Sequence, residues 1–134
     1  MLVLLLICLN VKTLQQHCLF RERKNMLIDF KNIKEITIEN FHGGLKEVKC
    51  SAFSDSLNRI MLTKIIPGGS NGIHKHVFDS EIMFVISGHG HAITDGKYEK
   101  LESGVSSYCP KGSTHEVFND GDVDLVCYNV VTKQ

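Results

Sequence analysis

The chain predicts an all-β domain, a sandwich or barrel of short strands. Three observations carry that expectation. Apolar and polar residues alternate in short segments along most of the chain, glycine-, proline- and aspartate-containing turn signals separate them, and no long stretch repeats with helical period. Many short strands joined by tight turns close most simply into a two-layer or barrel architecture.

Taken in order, residues 26–34 read as a short turn or strand. Residues 35–39, Glu-Ile-Thr-Ile-Glu, alternate and predict a strand, and His42-Gly43-Gly44 predicts a turn. A second strand is expected over 45–53, ending at Ser54-Asp55-Ser56, and a third over 59–66, closed by Pro67-Gly68-Gly69. The clearest strand is 81–86, followed by the turn Ser87-Gly88. In it Glu81, Met83 and Val85 share one face, while Ile82, Phe84 and Ile86 share the other. Both faces are apolar, so both require cover. Residues 91–94 and 97–101 form a hairpin across Asp95-Gly96. Strands over 106–109, 116–119 and 125–131 complete the set.

The chain has 134 residues, enough for one domain with a real core. Its 15 basic and 15 acidic residues cancel, and no basic run is long, which excludes the electrostatic footprint of a nucleic-acid binder. The five cysteines, Cys8, Cys18, Cys50, Cys109 and Cys127, are odd in number and include no CxxC, so they read as reduced thiols of a cytoplasmic protein. The apolar run Met1–Leu9 is too short to span a bilayer and lacks the basic flank of an export signal. Residues 1–25 are therefore expected to be an extension outside the domain, from an upstream start or a weak signal-like segment, with the domain over 26–134.

Four residues read as one metal site. The first block is Gly68-x5-His74-x-His76-x4-Glu81-x6-Gly88, and the second is Gly104-x5-Pro110-x-Gly112-x2-His115-x3-Asn119. His74 and His76 are two apart and share a face of an extended chain. Glu81 lies at an odd offset, so Val77–Ser80 must bend the chain before the next strand starts. His115 follows Pro110-Lys111-Gly112, which has turn chemistry. Three imidazoles and one carboxylate suit one divalent transition metal per subunit, whether Fe, Mn, Ni, Co, Cu or Zn, and leave coordination positions open. His89 and His91 follow the exposed side of a turn, and His17 and His42 have no partner in the pattern; all four read as surface histidines.

These two blocks match both signature motifs of the cupin superfamily, and over residues 55–130 the chain resembles a small single-domain cupin. The resemblance implies a double-stranded β-helix, a jelly-roll barrel with the metal inside its wider end, and it carries the ligand role onto His74, His76, Glu81 and His115. It implies no single reaction, because one fold hosts many chemistries.

Met83, Val85 and Val117, with Ile65, are expected to line the cavity. Asn119, Cys109 and Tyr128 are the principal polar or polarisable candidates beside them, with Thr63, Tyr108 and Ser70 further out. Arg59 is the only arginine after residue 26, which argues against nucleotide-sugar substrates with their several cationic contacts. The expected ligand is a small, weakly charged organic molecule. The chain then acts as an oxygenase, isomerase or lyase, or else as a binding or sensing module without catalysis. Neither nucleic acid nor membrane is an expected partner. A second copy of the chain is, since the outward set Ile82, Phe84 and Ile86 needs cover and small cupins that resemble this one pair in this way.

Overall fold

The computed structural model describes residues 27–134. The extension expected at residues 1–25, with His17, Cys8 and Cys18, lies outside the described residues, as does Met26. The ten strands are β1 (Ile36–Glu39), β2 (Glu47–Ser54), β3 (Asn58–Ile65), β4 (Ser70–Lys75), β5 (Asp79–Ser87), β6 (His89–Thr94), β7 (Lys97–Glu102), β8 (Ser106–Cys109), β9 (Thr114–Asn119) and β10 (Leu125–Lys133). They form a six-stranded sheet in the order β1-β2-β3-β10-β5-β8 and a four-stranded sheet in the order β4-β9-β6-β7. Every pairing is antiparallel. This is the all-β jelly roll that the sequence predicts.

The expected set lacks β4 (Ser70–Lys75), whose alternation is interrupted by a register shift; the other differences lie at the ends of elements. Of the turn or strand expected at the start of the domain, residues 27–34 show the turn: a short 3-10 turn, Phe30–Asn32, is capped by the Asp29 carboxylate, which accepts from the Lys31 N–H at 3.0 Å. Strand β5 starts two residues before Glu81 because β10 runs on to Lys133, and Asp79 pairs with Lys133. The Asp95-Gly96 hairpin forms as expected, with both residues at positive φ (47° and 77°), as a type I′ turn requires.

Alternation decides what is inside. On β5, Glu81, Met83 and Val85 are buried, while Ile82, Phe84 and Ile86 are 51%, 41% and 44% exposed. The inner face of the six-stranded sheet meets Ala92, Leu101 and Val117 from the four-stranded sheet to form one core. Among the described residues no helix is long and apolar enough to cross a membrane.

Candidate metal centre

Three strands and two turns bring the four expected side chains together. His74 on β4 lies opposite His115 on β9. The register of this pair shifts between Asn71 and His74. The shift lets Asn71, opposite the inward Val117, and His74, three residues later, both face the interior. His76 lies just past the end of β4, and its backbone is clasped by the loop before His115. The His76 N–H donates to the Ser113 carbonyl at 3.0 Å, and the His76 carbonyl accepts from the Gly112 N–H at 2.6 Å. That loop is a type II turn in which the Ser113 N–H donates to the Pro110 carbonyl at 3.0 Å and Gly112 supplies the required positive φ of 90°. The chain bends at Val77 and Phe78, as the odd offset of Glu81 demands, and β5 delivers Glu81 from the opposite sheet.

The ligand atoms converge. His115 Nε2 lies 3.0 Å from His74 Nε2 and 3.2 Å from His76 Nε2. Glu81 Oε2 lies 3.2 Å from both His76 and His115 Nε2, and 3.9 Å from His74 Nε2. All four donor atoms fall within 4.8 Å of one another, a set able to hold a metal ion. The outer ring nitrogens orient two of the imidazoles. His74 Nδ1 donates to the Gly72 carbonyl at 2.9 Å, and His76 Nδ1 donates to the Asp79 carboxylate at 2.6 Å. With those protons committed outward, the Nε2 lone pairs point at one another and at a carboxylate. Several buried acceptors facing one point repel unless a cation lies among them, so the donor set fits a divalent ion. His115 Nδ1 is buried without a partner.

Electrostatics agree with that fit. Burial alone favours protonation of Glu81, but the His115, His74 and His76 imidazoles gathered around it outweigh that and hold the carboxyl well below its ordinary range. Burial alone disfavours protonation of His76, but the hydrogen bonds to Glu81 and Asp79 win and raise its pKa.

Glu81 has a further support that the sequence reading missed. Its Oε1 accepts from Asn129 Nδ2 at 2.7 Å, and Asn129 Oδ1 accepts from Thr63 Oγ1 at 2.8 Å. The Thr63 hydroxyl thus orients the amide so that its NH2 faces the carboxylate. The signal was present: Asn129 is a polar residue in the inward register of Leu125, Cys127 and Val131, where an amide must find a partner.

The other expected residues divide. Met83, Val85, Val117 and Ile65 are buried and belong to the hydrophobic core. Asn119 is buried but faces the loops: its amide donates to the Ile65 and Val123 carbonyls and accepts from the Gly121 N–H, at 2.7 to 2.8 Å. Ser70 likewise accepts from the Leu45 N–H at 2.8 Å. Cys109 is buried opposite Glu81, and its pKa is pushed up to about 12, by burial first and by Glu81 second, so it behaves as a small apolar thiol. Tyr128 and Tyr108 are corrections. They alternate with inward residues and lie on the outer face, 36% and 53% exposed, with Tyr128 edge-on to Phe30.

His42 is the third correction, because it is not a free surface histidine. Its ring stacks on His74 with centroids 4.1 Å apart and an interplanar angle of 12°. The segment holding it lies against β4 so closely that a Cβ on Gly72 would overlap the His42 carbonyl. Burial first, and the neighbouring His74 and Arg59 next, push the His42 pKa down to about 3, so this ring is neutral and a weak base. His91 stays outside the site, paired with Asp120 at 2.6 Å and stacked on Phe118.

The family model described as the cupin domain matches residues 61–131, just over half of the chain. An oxalate-binding protein of Thermotoga maritima is 28% identical over 111 residues, covering 78% of this chain and 92% of that protein. A solved structure described as a predicted oxalate decarboxylase, also from Thermotoga maritima, superposes with a TM-score of 0.77 at 26% identity, covering 81% of this chain and all of that one. An RmlC-like cupin from Shewanella frigidimarina shares the fold with a TM-score of 0.70 at 14% identity, over 85% of this chain and 96% of that one.

Proposed function

This chain belongs to the cupin domain family, and from that premise we propose that it holds one divalent transition metal through His74, His76, Glu81 and His115 and presents it to a small organic acid inside the barrel. The observation that carries the reading is the convergence of three Nε2 atoms and one carboxylate oxygen within 4.8 Å. A bound ion would supply Lewis acidity and open positions for a ligand. The chain's own residues fix the imidazole orientation, hold the carboxylate ionised and keep the inner wall apolar around it. The similarity to an oxalate-binding protein and to a predicted oxalate decarboxylase supports a small acid as the ligand.

Turnover of that ligand, by oxygenase, isomerase or lyase chemistry, is the first reading. Binding without turnover is the second, and one observation favours it. The ring stacked on His74, that of His42, is a weak base and so is poorly suited to take up a proton beside the cluster. Incubating the metal-loaded protein with oxalate, with and without dioxygen, and following the acid by NMR separates the two. Consumption of oxalate indicates turnover; oxalate bound and recovered unchanged indicates a binding module. A protein that takes up neither metal nor acid contradicts both.

We include in the reading that two copies pair through the outer face of the six-stranded sheet and that the protein works in the cytoplasm.

A further inference from the structure

Arg59 is the one cation of the described barrel that faces inward without a counter-charge. It lies two residues before Met61 on β3, in the inward register of Met61, Thr63 and Ile65. That is the face whose Thr63 supports Asn129 and, through it, Glu81. Across the sheet, Arg59 pairs with Val131, and Val131 pairs with Glu81. Arg59 and Glu81 therefore occupy one row, two strand spacings apart, a backbone separation of about 10 Å. Arg59 also lies within electrostatic reach of His42, the ring stacked on His74.

The side chain is left unfinished. Arg59 Nε is buried and makes no hydrogen bond. No ion pair reaches Arg59 among the described residues, and Glu81 is already engaged through both of its oxygens. Arg59 as a residue is half-buried, but its Nε is out of reach of water and unpaired, and the planar fork of a guanidinium is suited to a carboxylate. Asn71 Oδ1, inward on β4, is a second buried polar atom without a partner. The same barrel thus carries a cluster able to hold a cation at one point of its wall and an unpaired arginine on the other side of one strand.

We propose that Arg59 is the specificity-determining residue of the barrel and that the ligand is a small dicarboxylate, one carboxylate directed to the His74–His76–Glu81–His115 cluster and the other to the Arg59 guanidinium. This deepens the reading above and rests on it. It also revises the weakly charged ligand expected from the sequence, since a lone inward arginine selects for an anion.

The test is calorimetric binding of oxalate, malonate and acetate to the full chain loaded with Mn(II), in the wild type and in Arg59→Gln and Arg59→Lys, with metal content and thermal unfolding measured alongside. The expected result is that Arg59→Gln keeps its metal and its fold, loses at least tenfold in dicarboxylate affinity and binds acetate as the wild type does. Arg59→Lys should recover part of the loss, because it keeps the charge without the fork. Unchanged dicarboxylate affinity in a folded Arg59→Gln overturns the inference. If Arg59→Gln fails to fold, the lysine variant decides, and affinity for both dicarboxylates equal to the wild type overturns it. Wild-type protein that holds metal but prefers acetate to both dicarboxylates overturns it too, and leaves the metal-site reading standing. Wild-type protein that holds no metal sinks that reading itself.

Discussion

Asn129 shows how much a single buried amide decides. Glu81 bridges His76 and His115 with one oxygen and gives the other to Asn129. Groups that orient a metal ligand from behind typically govern about 10–100-fold in metal affinity. Asn129→Ala is therefore expected to lose metal affinity in that range, read by titration against a chelator, with the four ligands intact; an unchanged affinity would count against the orienting role. Glu81 is held well below its usual range and stays anionic through mild acid, so imidazole protonation sets the pH limit. The His76 pKa is raised above 6.5, so protons begin to displace metal at higher pH than they would from an isolated histidine. Metal occupancy measured from pH 8 down to pH 4 should begin to fall above pH 6.5. Full occupancy held down to pH 5 would show that the metal outcompetes protons more strongly than these contacts allow.

The strands other than β4 were legible, because each alternates and each ends in a turn signal; the alternation of β4 is interrupted between Asn71 and His74. The break between β4 and β5 followed from the odd spacing of Glu81, and the inward set of β5 followed from parity. The register shift between Asn71 and His74 left no local pattern, since a bulge is set by the partner strand. The His42 stack was equally hidden, because it depends on close backbone approach between residues about 30 apart in sequence. Asn129 and the outward Tyr128 are different: both were readable from the parity of β10, which starts inward at Leu125. The turn before His115 is the element whose chemistry is most exposed to a single change. Gly112 sits at φ 90° and its N–H holds the His76 carbonyl. Gly112→Ala should destabilise the fold by about 1 kcal/mol or more, because a Cβ disfavours that conformation, and should weaken metal binding by loosening His76. A thermal midpoint and metal affinity equal to the wild type would contradict this.

The whole molecule leaves one broad face uncovered by the described residues. Ile82 lies opposite Tyr108, and Phe84 lies opposite Tyr128. All four are exposed, as is Ile86. Burying a large apolar side chain contributes about 1.5–3 kcal/mol, so a second copy packed here gains substantially. Sedimentation should give a dimer at micromolar concentration, and Phe84→Asp should give a monomer that still binds metal, since residue 84 points away from the ligands. A wild-type monomer would refute the pairing. The central claim concerns the inside of the barrel, and elemental analysis tests it most directly. Protein purified without chelators, or stripped and reloaded, should carry one divalent metal ion per chain, and His76→Ala and His115→Ala should each lose most of it while keeping the β-sheet spectrum. Equal metal content in the wild type and both variants, or none in the wild type after reloading, would contradict the account.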